Sequence, residues 1–287
     1  MITSISNITR LKTPHTAASS SRWTACPRRA GSMISPGGNM ATLDEEIREL
    51  LPQRPLTFYK DLKQYEPYLS SGNRMIMNRM GYNDHGITHA KIVTRNALRI
   101  FEILKHAVPL SVVKDLDLGE EDSMIVIIAS SFLHDIGNMV HRDYHNVHSV
   151  SLAIPLLHEL LPKYYENHVP IMSEVLHAIF AHDETARCLT TEAGIVSLAD
   201  GTDMEEGRGR IPYERGRIDI HSASAMAINN VHICKGEKPL RIEVTLTDNA
   251  GIFQVQEILG KKLLTTGLRD FVEIYLKKDG KNKKMDV

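Results

Sequence analysis

The chain has 287 residues, 42% apolar and 24% charged, with 34 basic and 35 acidic side chains. The resulting net charge of −1 creates no global field for nucleic acid or an anionic membrane, and a chain of this length can bury a substantial core. Three widely spaced cysteines, Cys26, Cys188 and Cys234, form no C-x-x-C pair, which argues against a disulfide scaffold or zinc ribbon and for a reducing compartment.

Residues 1–43 carry Arg10, Lys12, Arg22, Arg28 and Arg29, contain no Asp or Glu, and are rich in Ser and Thr. Such a segment buries too little apolar surface to order itself, so disorder is expected. Two readings stay open: an organelle transit peptide, or an extension ahead of a true initiator at Met33 or Met40, which is the simpler. Without a transit peptide, a soluble cytoplasmic protein is expected. The longest apolar run, Met124–Ala129, is too short for a spanning helix.

From Asp44 to residue 229 the pattern predicts a helical domain. Val93, Ala97, Ile100 and Leu104 make a stripe of 3.6-residue period, and His89 lies one turn before it. The segment 120–138 predicts a buried helix ending at Gly137. The segment 145–161 continues helical with a kink expected at Pro155, and Pro170 occupies a favoured first-turn position of the next helix. Ile171, Val175, Ala178 and His182 share that helix's inner face, and Val196 and Asp200 lie one turn apart on the following one.

Beyond Gly207 comes a basic, glycine-punctuated loop, GRGRIPYERGR, and then a helix expected through IDIHSASAMAINN. Residues 230–287 predict a small α+β domain. Its strands are VHICK, Leu240–Leu246 and Val272–Leu276, taken as antiparallel, with a helix through AGIFQVQEILGKKLL before the last. KKDGKNKK reads as a solvated tail. Edge strands in so small a sheet commonly pair between protomers, which points to a homodimer.

The chemistry concentrates in SSFLHDIGN, where His134 and Asp135 follow the longest apolar run. His89 precedes the doublet, and His148, His182 and Asp200 follow it, each on an inward helical position or at a helix end. Imidazole with carboxylate suits a divalent transition metal, and carbonyls at a helix C-terminus favour a cation beside the doublet. One buried histidine is more often a satisfied core residue. Five or six on apolar stripes are too costly without a bound ion.

This ordered set resembles the HD-domain metal-dependent phosphohydrolase superfamily over about residues 80–205. DHGITHAKIV is similar to its first motif, SFLHDIGN to its naming doublet and SLADGTD to its terminal aspartate motif; HSVSLA and IFAHDE resemble the histidine motifs of two-metal members. The resemblance implies a mainly α fold, an HD-type helical bundle. One ion would take His89, His134, Asp135 and Asp200; a second would take His148 and His182 with Asp135 bridging. The loop NMVHRDYHNVHS offers His141 and His145 as competitors for the place of His148. AHDETARCL replaces the glycine-tyrosine-proline run of the cyclic-dinucleotide phosphodiesterases, so that activity is not supported.

The implied cofactors are one or two divalent ions per chain, from Mn, Fe, Co, Ni, Zn or Mg, and the implied reaction is hydrolysis of a phosphomonoester or phosphodiester, such as a nucleotide. Two ions would polarise the phosphoryl group and activate water. Asp135 would position ions and nucleophile. His85 would protonate the leaving oxygen, by similarity to the cyclic-nucleotide phosphodiesterase branch, or is a surface histidine in a turn. Asp203 would support the site from one turn beyond Asp200, and Asp183 would orient water or cap its helix end. Arg142, Arg208 and Arg210 are candidates to grip a substrate phosphate. No nucleic-acid or membrane partner is expected. Two other readings share these ligands: a di-iron oxygenase of the same fold, and a regulatory metal- or ligand-binding module.

Overall fold

The computed structural model describes residues 40–205, 224 and 226–287. Helix α1 spans Met40–Glu49. It is tied down by Asp44, which accepts hydrogen bonds from Tyr59, Lys63 and the buried Lys91 at 2.7–2.9 Å. Helices α2 (Gln53–Leu62) and α3 (Glu66–Asn73) follow, and a π-helical segment (Arg74–Met80) continues α3.

The helical core is built around α6 (Glu120–Leu133), buried from Asp122 to Leu133. A helix apolar on all sides must be enclosed on all sides. Its neighbours are α2, α4 (Ile87–Leu104), α5 (Ser111–Leu116), α8 (Val169–Ala181) and α9 (Thr191–Gly201). The stripe read from the sequence is the buried face of α4: His89, Val93, Ala97, Ile100 and Leu104 all lie inside. Helix α7 (His145–Leu160) packs on α8 and on a 3-10 turn, Ile136–Met139, that follows the doublet. Buried Glu192 accepts from the Ser111 and Val112 N–H groups, each at 3.2 Å, and from Ser123 Oγ at 2.8 Å, so one carboxylate caps α5 and joins it to α6 and α9.

The C-terminal part forms a four-stranded sheet in the order β1 (Ile228–Cys234), β2 (Leu240–Leu246), β3 (Val272–Lys278), β4 (Lys281–Met285). Three expectations change here. The strand β1 starts at Ile228, where a helix was expected to run to Asn230. The pair β2–β3 is parallel, with Ile242 opposite Ile274, so the sheet is mixed. A parallel pair needs a long crossover, supplied by α10 (Gly251–Gln254), a π-helical turn (Val255–Gly260) and α11 (Lys261–Thr265). The expected solvated tail is strand β4, folded back antiparallel on β3. Asp279 and Gly280 make the reversal with φ of 49° and 74°, the signature of a tight hairpin turn.

One sheet face buries Leu240, Ile242, Val244, Val272 and Ile274, and β1 and β2 lie against α4. Helix α11 docks on α9. Two glycines make the approach close: a Cβ on Gly194 would stand 2.5 Å from the Thr266 carbonyl oxygen, and one on Gly201 3.1 Å from Lys262 Cδ. No helix among the described residues is long and apolar enough to cross a membrane.

Candidate metal centre

Four helix ends meet at one point. His89 stands in the first turn of α4, His134 caps the C-terminus of α6, His145 opens α7 and His182 caps the C-terminus of α8. Asp135 follows His134 directly, and Asp200 lies at the end of α9. The four histidines and Asp135 are each 5% exposed or less.

The orientation of every ring is fixed from behind. Nδ1 of His89 contacts Asp203 Oδ2 at 2.6 Å, that of His134 the Ser131 carbonyl at 2.8 Å, that of His145 the Arg142 carbonyl at 3.1 Å, and that of His182 the Ile179 carbonyl at 2.6 Å. Carbonyl and carboxylate oxygens only accept, so each Nδ1 carries the hydrogen and each Nε2 a lone pair. Those lone pairs converge: His89 Nε2 is 3.0 Å from His134 Nε2, and His145 Nε2 is 3.1 Å from His182 Nε2. Burial holds His134, His145 and His182 below the ordinary imidazole range, with neighbouring positive potential adding to the effect at His145 and His182.

The carboxylates divide between the pairs. Asp135 Oδ2 lies 3.5 Å from His89 Nε2 and 3.6 Å from His134 Nε2, while Oδ1 lies 3.4 Å from His145 Nε2 and 3.8 Å from His182 Nε2. Asp200 Oδ1 joins the first pair, 3.2 Å from His89 Nε2. Burial pushes both carboxyls up, but interaction with the His134, His85 and His145 imidazoles and the Arg142 guanidinium holds Asp135 well below its usual range, and interaction with the Lys262 ammonium and the His89 ring does so for Asp200.

These residues fit divalent ions. Among the described residues, buried Asp135 Oδ1 has no hydrogen-bond partner, an expensive condition that a cation relieves. Two ligands each about 2.1 Å from one ion at right angles lie about 3 Å apart, close to the spacing of both histidine pairs. His89, His134 and Asp200 form one group that could hold a metal; His134, Asp135 and His182 form another.

The structure thus gathers His89, His134, Asp135, His182 and Asp200, but not His148. That residue is half-buried one turn further along α7, and His145 takes its place. The reason is the direction of the chain: the loop leaving the doublet enters α7 at its first residue, so only that residue faces Asp135. A tight contact locks the entry. A Cβ on Gly137 would fall 2.1 Å from the His145 carbonyl oxygen, and the Gly137 N–H donates to Ser149 Oγ at 2.8 Å.

The remaining candidates lie around this core. Half-buried His85 stacks beside His89, ring centroids 5.2 Å apart. The His85 N–H donates to Asn73 Oδ1 at 3.1 Å, and Gly86 makes room for that side chain, since a Cβ there would come within 2.8 Å of it. Arg142 Nη1 is 3.6 Å from Asp135 Oδ1 and 3.4 Å from Asn138 Oδ1. Asp183 accepts from the Thr185 N–H at 3.0 Å, a turn-capping contact. Arg208 and Arg210 lie outside the described residues.

Lys262 was not singled out from the sequence. It is 5% exposed, and its Nζ donates to Asp200 Oδ2 at 2.8 Å and to the His182 carbonyl. Burial pushes its pKa down, but Asp200 outweighs this and raises it. The signal was present: Val255, Leu259, Lys262 and Thr266 follow helical spacing, and all four are buried.

The chain matches the HD domain model over residues 86–205. It is 45% identical to an uncharacterised protein, MJ1020, of Methanocaldococcus jannaschii over 240 residues, which make up 81% of this chain and 93% of that protein. No solved structure gives a significant match. With its doublet and convergent histidines in the matched span, the chain belongs to the HD-domain superfamily, whose members are typically metal-dependent hydrolases.

Proposed function

We propose that this protein is a two-ion phosphohydrolase acting on a phosphomonoester or phosphodiester of a small molecule, such as a nucleotide. The observation that carries the reading is the division of Asp135, whose two oxygens face two different histidine pairs at 3.4–3.8 Å. A carboxylate so placed is suited to bridging. His89, His134 and Asp200 would hold one ion beside it, and His145 and His182 the other. Bound ions of this kind supply Lewis-acid polarisation of a phosphoryl oxygen and lower the pKa of water.

The chain's own groups do the rest. Asp203 keeps the His89 ring turned inward. Arg142 lies on the side of Asp135 that faces His145, where its planar fork can meet a phosphate oxygen. His85, on the other flank, is placed to give a proton to the leaving oxygen.

The test is a screen of protein reconstituted with manganese or cobalt against a panel of phosphorylated metabolites, with metal content measured in the same samples. Phosphate release that disappears in Asp135→Ala is expected. Iron-dependent dioxygen consumption without phosphate release would instead identify a di-iron oxygenase, and partner binding that survives Asp135→Ala in a protein without turnover would identify a regulatory module.

A further inference from the structure

Lys262 comes from the C-terminal α/β part, yet its ammonium reaches Asp200 of the helical domain. Three features build this contact. Helix α11 comes in over Gly194 and Gly201 of α9, where side chains would block it. The lysine stem is buried, and its Nζ is anchored on the His182 carbonyl, which follows from α8 rather than from the metal ligands' side chains. The same Nζ takes Asp200 Oδ2 at 2.8 Å, while Asp200 Oδ1 faces His89 and His134 at 3.2 and 3.8 Å.

We propose that Lys262 is a positioning residue that restricts Asp200 to a single coordinating oxygen, so that the C-terminal part sets the metal preference of the centre. The inference rests on the metal-binding reading above. Calcium takes six to eight oxygen ligands and accepts two-oxygen carboxylates, whereas smaller ions such as magnesium demand near-ideal octahedral geometry. With Oδ2 withheld, the centre disfavours the larger ion. Release of Oδ2 lets Asp200 chelate with both oxygens.

The experiment measures manganese binding to the full chain and the calcium concentration that displaces half of it, for the wild type, Lys262→Met and Lys262→Arg. In Lys262→Met, calcium is expected to compete at least ~10-fold more effectively relative to manganese, because the second oxygen becomes available. Lys262→Arg keeps a cationic donor and should stay close to the wild type. Unchanged selectivity in Lys262→Met overturns the inference, whether total affinity rises or falls. Should that variant fail to fold, Gly194→Ala drives α11 off α9 without altering any charge, and the same shift is expected. A wild type that binds no manganese overturns the metal reading itself, a result distinct from bound metal with unaltered selectivity.

Discussion

Asp203 Oδ2 stands 2.6 Å from Nδ1 of His89, on the side of the ring away from Asp135 and Asp200. The carboxylate fixes the tautomer and raises the basicity of the nitrogen that faces the centre. Contacts of this kind typically carry 10–100-fold in metal affinity. Asp203→Ala should therefore weaken manganese binding by about 10–100-fold, as measured by chelator competition. Asp203 acts through His89, so its role is one of positioning.

His145 and His148 are both on α7, but only His145 meets His182, at 3.1 Å. Reconstituted His145→Ala should retain one ion per chain fewer than the wild type, and His148→Ala should keep the full complement. Mass-spectrometric metal analysis after desalting separates the two. Loss of metal in His148→Ala alone would contradict the ligand set.

Gly137 is pressed against the start of α7, where a Cβ would stand 2.1 Å from a carbonyl oxygen and 2.5 Å from the Ser149 nitrogen. Backbone atoms cannot step aside as a flexible side chain does. Gly137→Ala should cost about 2–3 kcal/mol or more by overpacking, seen in urea denaturation. It should also displace His145 and so lower occupancy of the His145–His182 position before that of the His89–His134 position.

The pH dependence of the metal-free protein follows from the depressed titrations. His134, His145 and His182 lie below the ordinary 6.5 in the folded state, with burial as the leading cause. Below that pH the unfolded chain binds more protons than the folded one, so stability falls as pH falls. Asp135 and Asp200, held well below 3.8, act in the same direction: their contribution is complete above that value and lost in stronger acid. The Tm of metal-free protein should decline from about pH 7 to about pH 5. A flat or rising profile in thermal melts would contradict the buried neutral histidines.

Much of the helical domain is legible from the residues because its inner faces repeat at helical spacing: the stripe from His89 to Leu104 is buried just as its period dictates. His134, Asp135, His182 and Asp200 are legible in the same way, at helix ends or inner faces, and the fold brings them together. Period alone does not say which turn of α7 faces the doublet, so it points to His148 where the fold presents His145; the contact of Gly137 with His145 decides that. Lys262 escaped because a lysine reads as solvated unless its buried neighbours Val255 and Leu259 are weighed with it. The mixed sheet had a usable clue in the helix between Leu246 and Val272, since parallel strands require such a crossover. KNKK reads as tail because a charged edge strand carries no alternating apolar signal.

In the proposed centre Asp135 would bridge two cations held by separate histidine pairs. The most direct test of this bridging is the metal content of full-length protein reconstituted with manganese and desalted. Two ions per chain are expected in the wild type, with loss of tight binding at both positions in Asp135→Ala. Protein that retains no stoichiometric metal, or an Asp135→Ala variant that holds two ions as firmly as the wild type, would contradict it.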